Sequence, residues 1–223
     1  MRPLFYCFLL FFCAQVHAQW LIVSSSSPAF ELGQRVSGVL HIPDDGKITL
    51  IANDGRVLRL SGPLQDYEIP GMGGDPGTEL VDTLATMLGG GEGNSRLAVY
   101  RQFLLPLPWT LPVEKAGSYC VSGHAENSLL RQPPYPSSLL AVTNEKGIEQ
   151  SYAWPAKSSR LVWPSQLPDS GRQLLRLQLD QQAPVDIELV VVPARLPSDA
   201  HRVQWMAENG CEPQAVMLLH QLR

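Results

Sequence analysis

Short apolar runs cut by turn signals set the pattern of the chain, and the clearest of them lie between Arg35 and Leu60. There the sequence RVSGVLHIPDDGKITLIANDGRVLRL carries two turn signals, Pro43-Asp44-Asp45-Gly46 and Asn53-Asp54-Gly55. Asp-Gly favours a left-handed turn residue, so each signal predicts a hairpin. Ile48, Leu50 and Ala52 alternate with Lys47, Thr49 and Ile51, and Leu58 and Leu60 alternate with Val57 and Arg59. A period of two over such short runs predicts a three-stranded antiparallel meander with one buried face. Gln19 to Val23 reads as a preceding strand, Gly62-Pro63 as the end of the meander, and residues 65–70 as an irregular connection.

Farther along, the period changes. Leu80, Val81, Leu84, Met87 and Leu88 recur at helical spacing, with Asp75-Pro76 or Thr78 as a start and Gly89 as a stop. This single helix is expected to lie on the meander. Residues 96–105 fit helix or strand equally, and three prolines in the run PLPWTLP, 106–112, argue against regular structure there. From Ser118 the strand pattern returns in six runs: SYCVSG, SLLAVTN, GIEQSYAW, SRLVWP, RQLLRLQLD and PVDIELVVVP. They predict a second sheet or a small sandwich. At the end, Ser198-Asp199 caps a helix to Glu208, Asn209-Gly210 stops it, and Pro213 opens a last helix.

The fold class expected is therefore mainly β within α+β. It comprises an antiparallel meander with one covering helix, a β-sandwich-like region and a C-terminal helical hairpin. The corresponding segments are 19–105, 106–197 and 198–223. Residues 1–18 stand apart: a basic start, an apolar run from Leu4 to Ala14 and the ending Val16-His17-Ala18 predict a secretory signal peptide cleaved after Ala18. The apolar run is shorter than the roughly 20 residues that span a bilayer. Beyond it no second stretch approaches that length, so the mature chain is expected to be a soluble periplasmic or secreted protein.

Charge and cysteine content narrow the function. The formal net charge is −4 and becomes −5 once Arg2 leaves with the leader, with both signs interspersed, which gives no footprint for nucleic acid. Cys7 and Cys13 belong to the leader, which leaves Cys120 and Cys211. Two cysteines in an exported chain are expected to pair, closing a loop of about 90 residues at a gain of roughly 4 to 5 kcal/mol. That pairing tethers the helical hairpin to the Cys120 strand.

No residue is nominated as catalytic. The glycine run from Gly71 to Gly77 precedes a helix but fits neither phosphate-loop pattern and reads as a flexible connection. His124 and His201 lie four and ten residues from Cys120 and Cys211, spacings that do not suit a metal site, and oxidised cysteines are not ligands. No G-x-S-x-G occurs, and Asp44 and Asp45 sit in a turn where solvation explains them. No metal or cofactor is expected. Trp109, Tyr152, Trp154 and Trp163, three of them beside prolines, are the binding candidates, because exposed aromatics stack on sugars or anchor a partner. The bland reading is that they plug the ends of a sandwich.

The stretch ELGQRVSGVLHIPDDGKITLIANDGRVLRLSGP, residues 31–63, resembles the FecR-type periplasmic module. The likeness lies in Gly33-x-x-Val36, the strand Lys47 to Ile51, and Asp54-Gly55 leading to Arg59-Leu60. Arg160 to Val162 with Trp163-Pro164, and Gly171 to Leu179, resemble the β-sandwich repeat of envelope proteins of that kind. The chain as a whole looks like secreted proteins of proteobacteria. The resemblance implies sensing or relay at the cell envelope. Without a segment to carry a signal inward, it leaves a periplasmic binding or accessory role. The expected function is thus a non-enzymatic envelope module for a protein or glycan partner. The alternative is an envelope hydrolase whose residues meet only in three dimensions.

Overall fold

A run of four apolar residues with no polar alternation must have both faces covered, and that run, Trp20-Leu21-Ile22-Val23, sets the N-terminal architecture. The computed structural model describes residues 20–71, 78–89, 107–163 and 170–222. The leader, the Gln19 start of the first strand, most of the glycine run and the stretch 96–105 lie outside the described residues. Strand β1 (Trp20–Ser25) buries all four apolar residues and pairs antiparallel with β4 (Lys47–Ala52), Trp20 opposite Ala52 and Ser25 opposite Ile48. Strand β2 (Arg35–Val36) lies outside β1 and β5 (Val57–Ser61) outside β4, giving the order β2-β1-β4-β5.

The β4–β5 hairpin forms as the Asn53-Asp54-Gly55 signal predicts, with Gly55 at φ 79°. The other hairpin does not. Pro43 to Gly46 makes its tight turn, Gly46 N donating to Pro43 O at 3.0 Å, but β3 (Val39–Ile42) forms no ladder with β4. The edge of β4 that a meander would give to β3 is taken by the more apolar β1. Strand β3 instead crosses the sheet and pairs with β6 (Leu64–Glu68), in the stretch expected to be irregular. Asp66 at φ 53° and a register shift mark this pair, which is why β6 shows no period in the sequence. Both faces of the central sheet are therefore covered. Ile22, Ile48, Leu50 and Ala52 meet Leu40, Ile42 and Ile69 on one side. Leu21, Val23 and Ile51 meet helices on the other.

The helices match their signals. Helix α1 (Thr78–Gly89) buries Leu80, Val81, Leu84 and Leu88. Helix α2 (Asp199–Glu208) starts at Ser198, whose side chain accepts from His201 N, and Gly210 follows at φ 84°. Helix α3 (Glu212–Leu222) buries Gln214, Ala215, Val216, Leu218 and Leu219. Among the described residues no helix is long and apolar enough to cross a membrane.

All six predicted strands of the second half form: β8 (Gly117–Val121), β10 (Ser138–Asn144), β11 (Glu149–Trp154), β12 (Arg160–Val162), β13 (Arg172–Leu179) and β14 (Val185–Val191). Two three-residue strands join them, β7 (Thr110–Pro112) and β9 (Ser128–Leu130). Thus the proline-rich run holds a strand after all. Proline is tolerated because β7 is an edge strand and Pro112 its last residue. A five-stranded sheet, β11-β10-β13-β14-β8, faces a three-stranded one, β12-β9-β7. Leu111 and Leu129 meet Val121, Leu140, Leu177 and Leu189 in the core between them.

A third core joins the two β bodies. It unites Leu21, Val23 and Ile51 of the first sheet, the buried faces of α1, α2 and α3, and Cys120, Val190 and Val192 of the second. Cys120 and Cys211 are bonded there with Cα atoms 5.7 Å apart, both fully buried. Beside them the Gln214 amide accepts from Cys120 N (2.7 Å) and donates to Cys120 O (2.9 Å) and Pro108 O (2.6 Å).

Two stability predictions follow from this joint. The Cys120→Ala/Cys211→Ala variant loses up to about 4 kcal/mol, read as a lower urea midpoint, because its unfolded chain regains the entropy of the loop. An unchanged midpoint would show the bond to be idle. The Gln214→Leu variant leaves buried backbone groups unpaired and loses about 3 kcal/mol although the bond stays intact; a loss below a few tenths would refute the bracing role.

Candidate functional site

Helix α2 crosses the end of the sandwich and leaves a cleft of about 1240 Å³ between them. The floor and walls come from five places in the chain. The turn 122–127 brings His124 and Glu126, the end of β12 brings Val162 and Trp163, and the start of β13 brings Ser170 to Arg172. The chain leaving β14 closes one side and α2 closes the other with Trp205 and Asn209.

The turn is held from within. Asn127, 5 % exposed, accepts from Ser122 N (3.0 Å) and donates to Ser122 O (2.7 Å) and Ala125 O (3.0 Å). One amide thereby satisfies both ends of the turn and holds the backbone that carries His124 and Glu126. Trp163 N donates to Asn127 O at 2.9 Å, which ties the second wall to the first. Its indole N–H is buried and has no acceptor among the described residues.

The two charged groups of the lining, Glu126 and Arg172, are each paired with a residue just outside it, Arg160 and Glu188. Arg172 donates to Glu188 Oε2 (2.8 Å) and to Asn209 Oδ1 (3.3 Å), bridging β13, β14 and the end of α2. Ser118 Oγ donates to the same Glu188 oxygen at 2.8 Å. The Ser118 hydroxyl is the largest influence on the Glu188 carboxyl and, with the Arg172 guanidinium, holds it below its ordinary value of 4.5, while burial opposes them. Glu126 accepts from Arg160 at 2.9 Å. A carboxylate stabilised in its ionised form is a poor general acid, so Glu188 suits a structural or binding role better than proton delivery.

The four aromatics proposed from sequence are scattered. Trp163 lines the cleft. Trp109 is half-buried against the central helical core, and Tyr152 is half-buried over the sandwich core with its hydroxyl on Gln150. Trp154 is fully buried and has no surface to offer a partner. Its indole donates to Ser158 O at 3.1 Å, and its face lies 4.9 Å from the Arg131 guanidinium. Arg131, 2 % exposed, donates to Ser158 O, Ser138 Oγ and Pro155 O, each at 2.9 Å. The tryptophan thus helps solvate a buried cation, which alternation along β11 does not announce. The aromatic that does join Trp163 is Trp205. No local pattern announces it: Trp205 lies between the fully buried Val203 and Met206 in α2 and is itself partly buried against the helical core.

His201 is not in the cleft. Its Nδ1 lies 2.9 Å from Ser198 Oγ, the distance of a nucleophile and its base, but Ser198 is the cap of α2. Gly55 packs over the pair so closely that a Cβ there would come within 2.1 Å of Ser198 Oγ. No substrate reaches that oxygen from the Gly55 side. The cysteines near His124 and His201 are joined to each other, and no group of three potential metal ligands occurs among the described residues. The chain matches no protein-family model and no curated protein.

The Glu188 network sets a pH dependence. A depressed folded pKa contributes stability at pH values above the unfolded pKa, and that contribution is lost as pH falls through the folded one. Wild type is therefore more stable than Glu188→Gln at neutral pH, and the difference shrinks as pH falls below about 4.5. Thermal melts of both across acid pH measure it, and a difference that stays constant down to acid unfolding would contradict the assignment.

Proposed function

We propose that the protein is an exported, non-enzymatic module of the cell envelope that binds a neutral glycan in the cleft between the sandwich and α2. The single observation that carries this reading is that Trp163 and Trp205, from different elements, line one cleft together with polar groups and with Glu126 and Arg172, each neutralised by an ion pair. A sugar ring has apolar C–H faces and a belt of hydroxyls that both donate and accept. Indole faces match the first, and His124, Ser122, Ser170, Arg172 and Asn209 match the second. Arg172 and Arg160 are neutralised by Glu188 and Glu126, so the rim has no strong preference for a charged ligand.

Export is supported by the buried disulfide, a bond that persists in oxidising compartments, and by the leader-like pattern of residues 1–18. The resemblance of residues 31–63 to FecR-type modules points to the same compartment. In this reading the N-terminal body and the helices form the frame, and the sandwich end presents the ligand site.

The test is tryptophan fluorescence titration of the mature chain with a panel of neutral oligosaccharides and peptidoglycan fragments. Trp205→Leu keeps an apolar side chain against the helical core but removes the aromatic face. It is expected to weaken binding by roughly tenfold, equivalent to about 1.4 kcal/mol, while near-ultraviolet dichroism of the sandwich is retained. Tyr152→Ala, remote from the cleft, leaves affinity unchanged. If no glycan in the panel perturbs the fluorescence, or if Tyr152→Ala and Trp205→Leu weaken binding equally, the assignment fails.

A further inference from the structure

A sheet that ends in an exposed strand invites another strand, and proteins blunt such edges with charge, proline, bulges or cover. Most edges here are blunted. Strand β8 is covered by Gln214 and the disulfide. Strand β5 carries Arg59, which donates to Leu222 O at 3.0 Å. Strand β2 has two residues, β12 has three including Arg160, and β7 ends in Pro112. The β3–β6 pair is broken by a register shift.

Among the described residues, strand β11 has none of these devices. Its six residues, EQSYAW, pair with β10 in unbroken register from Ser138–Trp154 to Thr143–Glu149, and the only charge is Glu149 at one end. The direction of its peptide groups follows from the neighbours. Asp180 N donates to Leu139 O (2.8 Å), so residues 139, 141 and 143 of β10 face β13. Asn144 N donates to Ile148 O (3.0 Å), so residues 138, 140, 142 and 144 face β11. Their partners Trp154, Tyr152 and Gln150 exchange bonds inward, and Glu149, Ser151 and Ala153 turn their N–H and C=O groups to solvent. All three residues are exposed.

We propose that this edge is a homodimer interface in which β11 pairs antiparallel with β11 of a second copy across a two-fold axis. The outward residues are self-complementary. With Ser151 opposite Ser151 of the second copy, Glu149 falls opposite Ala153 at both ends, and all outward peptide groups of the strand are paired. The small side chains of Ser151 and Ala153 allow close approach, and the two glutamates are held apart, which removes the like-charge opposition that disfavours self-pairing. Ile148, 55 % exposed beside the strand, falls opposite the Trp154 end of the second copy and gains cover. The five-stranded sheets merge into one, and growth stops there because the far edge, β8, is capped in each copy. The assembly closes as a pair and does not extend into a fibre.

Sedimentation of the mature chain over a concentration series tests the proposal, together with two variants. Ser151→Pro removes an outward N–H that β10 does not use, so the fold survives while the interface loses its central bonds. Ser151→Cys places two thiols opposite each other, whereas Ala153→Cys does not. The expected results are a wild-type dimer, a folded monomer for Ser151→Pro, and covalent dimer forming faster for Ser151→Cys than for Ala153→Cys under mild oxidant. A wild type that remains monomeric overturns the proposal. So does a dimer that persists in Ser151→Pro, or equal cross-linking of the two cysteine variants.

Discussion

The closure of one sheet edge by one helix holds the molecule together. Strand β8 ends the five-stranded sheet with backbone groups that need partners in a buried site. The Gln214 side chain acts as a fragment of a neighbouring strand there, accepting from and donating to Cys120 and reaching Pro108 as well. At 1 % exposure its own amide would be costly if unpaired. The disulfide one turn away fixes the same helix to the same residue of the strand. Once α3 is held, α2 follows through their short connection, and both present apolar faces to the first sheet. The core that results draws on β1, β4, α1 to α3 and the β8–β14 edge, so neither β body buries its full apolar surface without these helices.

The cleft is a consequence of that docking. Helix α2 cannot lie flush on both bodies, and where it leaves the sandwich end the space is lined by what each element happens to expose there. The geometry is nonetheless stiff. Asn127 locks the turn, Arg172 links β13 to β14 and to the cap residue of α2, and Asn209 in turn donates to Trp205 O at 2.8 Å. Walls braced in this way, with two indoles in the lining, suit the proposed recognition without requiring movement.

The sequence showed much of this fold because its later strands alternate cleanly. In β13, Leu175, Leu177 and Leu179 are buried while Arg172, Leu174 and Arg176 are exposed. The caps at Ser198 and Gly210 and the pairing of the two remaining cysteines were equally legible, each resting on local chemistry. What stayed hidden depends on contacts far apart in the chain. Turn chemistry shows that Pro43 to Gly46 reverses direction but not that β1 competes for the edge of β4. The neighbouring prolines rank Trp154 beside Trp163, but a buried guanidinium holds the first in the core. Gln214 and Trp205 have no local signature, because each acquires its role from a strand about 90 or 40 residues away.

The distribution of cover across the two bodies explains where recognition can reside. The central sheet of the first body has β3 and β6 on one face and helices on the other, so its strands offer no free face. The five-stranded sheet is covered on its inner face only. Its outer face keeps Leu139 and Leu174 more than half exposed, next to the Arg176–Asp186 pair. A sheet with one wet face tolerates substitution there at little cost in stability, whereas the doubly covered sheet does not. Among the described residues, the surfaces free to be shaped for binding therefore lie on the sandwich, at its rim near α2 and at its β11 edge, and residues 31–63 serve as scaffold in this arrangement.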